Sequence, residues 1–409
     1  MTRFEAPRGT HDILPSEQPL WQWVTRQMEE VCALYGYRRI DTPAIEDTEL
    51  IVRTSGGGSD VVQKETYTFH DRGGRSLTLR PEATAPICRA YIQHGLHREP
   101  QPQKLYTIGP MWRYDRPQKG RYREHWQLSV EAIGSDDPAV DAEVIQLYAE
   151  LLRRLGVKRY TLELNSIGDL NCRPAYVERL SAWLDDHDSE LDEEARAKRA
   201  TTPLRVFDVK SERVQAVLAD APKIGDSLCD ACREHFERVR AFLDAYGVRY
   251  ELLPTLVRGL DYYTRTTFEF KSEDLGAKDT ICGGGRYDGL IEEIGGAPTP
   301  GIGFGAGVER LILSVPGGER DEKPVDVYFV AADSADRARV APLLAELRRR
   351  GLRADMDYGG RSQKGQLGQA GRQRAGWTVI VEGDCATVRE PGRDDWTAQL
   401  GELVERISG

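Results

Sequence analysis

Several familiar signatures are missing from this 409-residue chain, and each absence removes a class of protein. Cysteine is scarce: seven residues, at 32, 88, 172, 229, 232, 282 and 385. An odd, scattered set argues against a disulfide framework and for a reducing compartment. No apolar run is long enough to span a membrane. Met1-Thr2-Arg3-Phe4-Glu5-Ala6-Pro7 lacks the apolar core of a secretion signal. A cytoplasmic location with no membrane partner is the expectation. No Walker-type phosphate loop is present, and no serine–histidine–aspartate or cysteine–histidine spacing stands out. A zinc site at Cys229-x-x-Cys232 needs two more ligands, for which only Cys172 and His235 are candidates. No bound metal is expected there.

What is present is ordinary for a globular chain: 40% hydrophobic, 30% charged, net charge −10. The length suggests two or three domains. An acidic total does not advertise a nucleic-acid binder, but local charge matters more. Residues 112–125 hold five basic side chains (Arg113, Arg116, Lys119, Arg121, Arg123) against two acidic ones. From Arg361 to Arg374 there are four basic residues and no acidic one. Either run alone reads most simply as a solvated face.

The informative stretch runs from Leu256 to Arg310. It contains Val257-Arg258-Gly259-Leu260-Asp261-Tyr262-Tyr263, then Cys282-Gly283-Gly284-Gly285-Arg286-Tyr287-Asp288-Gly289. Glycines then recur at 301, 303, 305 and 307. Alternate strand residues share a face, so one face here carries no side chains and a planar base could lie on it. The strict spacing of two is not the dinucleotide fingerprint. Val308, Leu311, Ile312 and Val315 keep helical spacing, which puts Glu309 and Arg310 on a first turn. A guanidinium there could cover the base from the other side. A close-packed glycine strand with Arg310 in solvent explains the repeat equally well.

These residues carry a resemblance. Gly301 to Arg310 resembles motif 3 of a class II aminoacyl-tRNA synthetase. Arg258 to Tyr263 and Gly283 to Gly289 resemble the two signature segments of histidyl-tRNA synthetases. The resemblance extends over essentially the whole chain. The helix from Ser16, a plausible N-cap, through Leu20, Val24, Met28, Val31 and Tyr35 to the stop at Gly36, with a strand Tyr37 to Pro43, is similar to motif 1. In the family that segment builds a homodimer interface. Gly56-Gly57-Gly58 reads as a loop, and Tyr67 to Arg80 as a hairpin. Strands Tyr106 to Arg113 and Trp126 to Glu131, with a basic loop between, resemble motif 2. Gln127, Ser129 and Glu131 alternate on one face, which suits solvent or a polar pocket better than a core.

The domain organisation follows. Residues 1–170 form the first part of a catalytic core. Residues 171–245 are charged and helical and read as an insertion; in the family a comparable one folds over the tRNA acceptor arm. Residues 246–317 complete the core. Gly317 to Pro324 is a polar linker. Residues 324–409 alternate strand and helix as a small parallel βαβαβ unit, with Trp396, Leu400, Leu403 and Ile407 expected on a last helix. The family places its anticodon-binding domain here. The expected fold is an α+β core, an antiparallel sheet flanked by helices, with a helical insertion and a C-terminal α/β domain.

The resemblance also implies roles. Glu82, beside Ala83 and Thr84, would take the substrate ammonium group, although carboxylates favour a helix start for that dipole end alone. Arg113 and Arg258 would stabilise charge on phosphoryl oxygens as the histidine carboxylate attacks ATP. Gln127, Glu131, Tyr262, Tyr263 and Tyr287 would complete the histidine pocket, with Glu131 accepting one imidazole N–H and a tyrosine hydroxyl pairing with the other nitrogen. Arg121, His125, Gly303, Gly305 and Arg310 would hold ATP, which carries Mg²⁺. His125 stands where the family usually has a Phe that stacks on adenine. Gln118 and Arg123 would meet the tRNA acceptor end, Arg being apt for guanine. Relatives often carry further cysteines near residues 171–245 that this chain lacks. The competing reading is a catalytically inactive paralogue, a histidine-sensing regulatory subunit of ATP phosphoribosyltransferase. That class typically lacks the Arg258 to Tyr263 signature and the C-terminal domain, both present here.

Overall fold

A computed structural model describes residues 3–55, 64–260, 262–276, 280–317 and 324–408. The expected glycine loop at 56–58, Asp261 of the first signature and most of the linker after Gly317 lie outside the described residues. The chain divides into two compact units, Met1–Glu319 and Arg320–Gly409.

In the first unit, β1 (Arg38–Arg39) precedes β2 (Ile45–Asp47), β3 (Tyr67–His70) and β4 (Ser76–Leu79). There follow β5 (Gln103–Trp112), β6 (Glu124–Ile133), β7 (Tyr160–Ser166) and β8 (Glu251–Leu252). The last three are β9 (Thr264–Ser272), β10 (Thr280–Arg286) and β11 (Gly301–Gly307). Strands β2, β4 and β3 make a small antiparallel sheet. The others form an eight-stranded sheet in the order β1-β5-β6-β11-β10-β9-β7-β8. Its six central strands pair antiparallel, while β1 and β8 join the two edges in parallel. This matches the core architecture the sequence led us to expect.

The sheet has one dry face. Leu128, Val130, Phe304, Phe268 and Leu164 point to it and meet Val24 and Met28 of helix Gln18–Leu34 and Leu147 and Leu151 of helix Pro138–Leu155. The second of these helices has an N-cap from Asp137, whose side chain accepts the Ala139 N–H, and a left-handed Gly156 at its end (φ 75°). The Arg286–Asp141 ion pair is wholly buried, and Asp288 at its edge is partly exposed. Arg286 binds Asp141 through Nε at 3.1 Å and also reaches Asp288 at 3.0 Å. The arginine of the second signature is therefore structural: it joins β10 to the helix behind the sheet.

Helices Arg173–Asp186, Glu193–Thr201, Glu212–Leu218 and Asp230–Ala245 fill the excursion between β7 and β8. It has an apolar cluster of its own, including Tyr176, Leu180, Leu184, Val206, Val214 and Leu218.

In the second unit, β12 (Val327–Ala331), β13 (Ala354–Met356), β14 (Trp377–Glu382), β15 (Cys385–Arg389) and β16 (Trp396–Gln399) form a sheet in the order β13-β12-β14-β15-β16. The parallel β13-β12-β14 core is as expected. The rest is a correction. Trp396 lies on a strand, and the last helix spans Leu400–Ser408. A left-handed Gly383 (φ 63°) turns the chain back, and Ala386, Val388 and Ala398 alternate into the core. Pro391 and Gly392 between the two strands masked that alternation. Two smaller expectations also change. Helix Gln18–Leu34 starts after Glu17, not Ser16, with Glu17 Oε2 accepting the Leu14 N–H. The strand expected from Tyr37 to Pro43 pairs only at Arg38 and Arg39.

Candidate active site

The wet face of the sheet is built by register. Residues opposite one another on neighbouring strands share a face. Gly303 faces Glu131, Gly305 faces Ser129 and Gly307 faces Gln127. On the other side of β11, Gly305 faces Gly283 and Gly303 faces Gly285. Across β10, Gly283 faces Glu269 and Gly285 faces Thr267. The result is a ledge of bare backbone with Gln127, Ser129 and Glu131 along one border and Thr267 and Glu269 along the other.

Close approach requires glycine at several of these positions, Gly303 and Gly283 among them. A Cβ on Gly303 would collide with Glu131 Oε2 and the Val130 carbonyl. A Cβ on Gly283 would overlap the Arg258 guanidinium, which lies flat on that point of the ledge. At Gly305 a Cβ would come within 2.8 Å of Gln127 Nε2, a side-chain end that can move.

Glu131 is fully buried and anchored on both oxygens. Thr84 Oγ1 donates to Oε1 at 2.7 Å, and Tyr287 Oη donates to Oε2 at 2.6 Å. Burial, opposed by those two hydroxyls and reinforced by the Glu82 charge, pushes its carboxyl up to about 8. Tyr262, Tyr263 and Tyr287 close the pocket, with ring centroids 4.6 and 6.0 Å apart for Tyr262 against Tyr263 and Tyr287.

Glu82 is buried as well, and burial raises its carboxyl above the usual range. Its oxygens accept the Thr84 N–H at 2.6 Å and the Ala85 N–H at 2.9 Å. The helix-start explanation therefore holds for Glu82. Each oxygen keeps a further lone pair, and Arg113 supplies positive charge nearby. Arg113 is aimed by its Nε donating to the Pro81 carbonyl at 2.8 Å.

Arg258 pairs with Glu269 at 3.1 Å. Its buried Nε–H has no hydrogen-bond partner among the described residues. The charges of Arg258 and of Glu131 and Glu82 all act on Tyr263, and Arg113 acts on Glu82. His125 shares the face of Gln127. Burial and the charges of Arg113 and Arg121 push it down to about 3, so its ring is neutral and flat at neutral pH. Arg310 drapes over Gly307, its Cδ 3.7 Å from where a Cβ would stand. Glu309 turns inward, accepting the Trp126 N–H at 2.8 Å. Burial pushes Glu309 up to about 7.

The loop between β5 and β6 is pinned at its base and exposed at its tip. Arg123 stacks on Tyr114 with its guanidinium 3.7 Å from the ring centroid, and its backbone N–H donates to the Gly9 carbonyl at 2.7 Å. Arg121 pairs with Asp115. Gln118 stands exposed at the turn, bonded through its backbone to Arg121.

A family model described as histidyl-tRNA synthetase matches residues 9–311. The chain belongs to the histidyl-tRNA synthetase family. It is 47% identical to a histidine–tRNA ligase of Halothermothrix orenii, over 92% of this chain and 91% of that one. With a histidine–tRNA ligase of Dehalococcoides mccartyi it shares 46%, over 99% of each. Among solved structures, apo histidyl-tRNA synthetase of S. aureus superposes with a TM-score of 0.83 at 38% identity, covering all of both chains. A protein of Bacillus halodurans described as an ATP phosphoribosyltransferase regulatory subunit/histidyl-tRNA synthetase matches at 23% identity with a TM-score of 0.66, over 93% of this chain and 98% of that one. That likeness shows a shared fold alone.

Within this family frame, three groups escaped the sequence reading. Glu269 and Thr267 border the ledge, yet strand alternation in a charged segment does not distinguish a pocket wall from solvent. Asp169-x-x-Cys172 carries no ligand signal of its own, because an aspartate three residues before a cysteine is as common in a solvated turn. His235 instead faces Asp141 at 3.6 Å, while Asp169 lies with Cys172, Cys229 and Cys232.

Proposed function

We infer that this protein is a histidine–tRNA ligase, a class II aminoacyl-tRNA synthetase that consumes ATP. The histidine carboxylate attacks the α-phosphorus of ATP, pyrophosphate leaves, and histidyl-adenylate forms. A ribose hydroxyl at the tRNA 3′ end then attacks the activated carbonyl and releases AMP. The supporting observation is the ledge: a strand with only glycines on one face, bordered by Glu131 and approached by the Arg258 guanidinium group and the Arg310 side chain from two distant segments.

The residue roles are our proposal. Glu131 accepts an imidazole N–H, with Tyr287 and Thr84 fixing its carboxyl group. Tyr263 or Tyr262 pairs with the second ring nitrogen. An amino acid without that donor pattern leaves buried polar groups unmatched, which costs far more than a misfit methyl group. Glu82, with Ala83 and Thr84 at its helix start, takes the α-ammonium group; Gln127 borders the same pocket. Arg113 and Arg258 hold the carboxylate and α-phosphate, charge that grows in the transition state and meets donors already in place. The adenine lies toward the Gly305 end of the strand between His125 and Arg310, since the Glu131 carboxylate already stands over Gly303, with Arg121 beside the phosphates. Mg²⁺ enters with ATP on its β- and γ-phosphates.

Partners follow from the same reading. Gln118 and Arg123 meet the acceptor end of histidine tRNA, and residues 324–409 its anticodon arm. Residues 171–245 act as an insertion over the acceptor arm. Segment 17–43 builds a homodimer; Leu34 is exposed at the helix end, as an interface would want. The compartment is the cytoplasm. No helix among the described residues is long and apolar enough to cross a membrane. The regulatory-subunit reading draws on a shared fold alone and on no observation in the site.

The test is amino-acid-dependent exchange of pyrophosphate into ATP with Mg²⁺, run across a panel that includes proline and threonine. Histidine alone should support exchange. Exchange with another amino acid, or none by folded protein, overturns the reading.

A further inference from the structure

The excursion begins and ends at one point. Cys172 precedes helix Arg173–Asp186 as its N-cap, and Cys229 precedes helix Asp230–Ala245, with Cys232 in its first turn. The fold brings the Sγ atoms of all three together with a carboxylate oxygen of Asp169, every ligand atom within 4.8 Å of every other. Cys172 Sγ lies 3.9 Å from Cys232 Sγ and 3.4 Å from Asp169 Oδ1. Thiolates held tetrahedrally at about 2.3 Å from a zinc ion stand about 3.8 Å apart, and a carboxylate oxygen slightly closer. The Cys172–Cys232 and Cys172–Asp169 spacings are those of a coordination sphere, and 4.8 Å bounds the rest. A disulfide would need the sulfurs much nearer, about 2.05 Å.

The surroundings suit a cation held by thiolates. Gly168 is left-handed (φ 66°), and a Cβ there would stand 2.7 Å from Cys172 Sγ, so glycine makes room for the sulfur. The Asp169 N–H points at Cys172 Sγ from 3.4 Å. Two helix N-termini converge and favour negative charge. Arg265, itself left-handed (φ 49°), holds its guanidinium 3.8 Å from Asp169 Oδ2 and offsets the surplus negative charge of three thiolates and a carboxylate around a divalent ion.

We propose that Asp169, Cys172, Cys229 and Cys232 bind one zinc ion that clasps the first and last helices of the excursion together. Three thiol protons leave as the ion binds. The clasp has a second effect. Arg173, next to Cys172, donates to the Tyr263 carbonyl at 2.6 Å and to the Gly168 carbonyl at 3.1 Å. The ion therefore steadies the strand start that carries Tyr263. That part rests on the functional reading above; the metal site itself does not.

The test is anaerobic titration of the reduced, chelator-treated full chain with Co²⁺. One equivalent should saturate an intense visible spectrum of tetrahedral cobalt with thiolate charge-transfer bands, and one equivalent of Zn²⁺ should bleach it. Cys229→Ser should remove most of the thiolate absorption. Asp169→Asn should keep the charge-transfer bands and weaken zinc binding about tenfold or more. His235→Ala should leave the spectrum unchanged. Absence of thiolate bands in the unmodified reduced chain overturns the proposal, as does a Cys229→Ser protein with the unmodified spectrum. Should Cys229→Ser fail to fold, the unmodified chain and Asp169→Asn still decide. A raised KM for histidine in chelated protein, restored by zinc, reports the effect on Tyr263. Its absence beside a positive cobalt spectrum removes only that second effect.

Discussion

Gly303 and Gly305 sit two residues apart on the same bare strand face, yet their neighbours differ in kind. The atoms facing Gly303 are a buried carboxylate and a backbone carbonyl, neither free to move. Gly303→Ala should cost about 1–3 kcal/mol of stability and also displace Glu131. Gly305 faces the end of the Gln127 side chain. Gly305→Ala should leave the melting temperature nearly unchanged and raise the KM for ATP about tenfold or more, because the methyl group would stand where we propose the base lies. Thermal melts with exchange kinetics separate the two. Glu131 offers a pH test. With its carboxyl at about 8, the free pocket holds that proton at pH 7. The folded value lies above the unfolded one, so this group makes the fold less stable as pH climbs from the ordinary carboxylate range through 8. If the ionised form accepts the imidazole N–H, histidine affinity should rise between pH 7 and 8.5. Glu131→Gln should abolish that rise and lower exchange by on the order of 10²-fold or more. Calorimetry at the two pH values checks the first point.

At the scale of elements, the glycine strand and the motif 2 strand are locked by more than their ladder. Glu309, on helix Val308–Ser314, caps the Trp126 N–H of β6. Its carboxyl sits at about 7, raised by burial, so it is neutral at pH 5 and charged at pH 8. Its contribution therefore falls as pH rises through 7. Glu309→Gln keeps an acceptor without the charge. It should match the parent protein at pH 5 and exceed it at pH 8 by on the order of 1–3 kcal/mol, read from melts at both values. Elements of this kind were legible where a local pattern dominates. The polar alternation of Gln127, Ser129 and Glu131 pointed away from an apolar core, to solvent or a polar pocket, and the glycine period to a bare strand face or a close-packed strand. The β15–β16 hairpin was not legible, since a helix-like spacing from Trp396 to Ile407 ran across a strand-to-helix junction. Arg286 shows a further limit. Nothing in the sequence tells a signature arginine that meets a ligand from one the fold buries, as it buries Arg286 against Asp141.

For the whole molecule, the site draws on residues 82–84, 113–131, 258–269 and 283–310, segments separated by the excursion and by helices that share no local pattern with them. Family resemblance supplied that assembly in advance; composition and periodicity could not, because nothing local says which distant strands become neighbours. Asp169 illustrates the gap: its partners stand up to 63 positions away, at Cys232. The central claim is that histidine and ATP meet on the bare face of β11, gripped by Arg113 and Arg258. A crystal structure of the protein with histidine and a non-hydrolysable ATP analogue tests it directly. The account predicts adenine at the Gly305 end of the strand between His125 and Arg310, the α-phosphate within reach of both arginines, and the imidazole on Glu131. Nucleotide bound away from that strand, or an imidazole that makes no contact with Glu131, would contradict it.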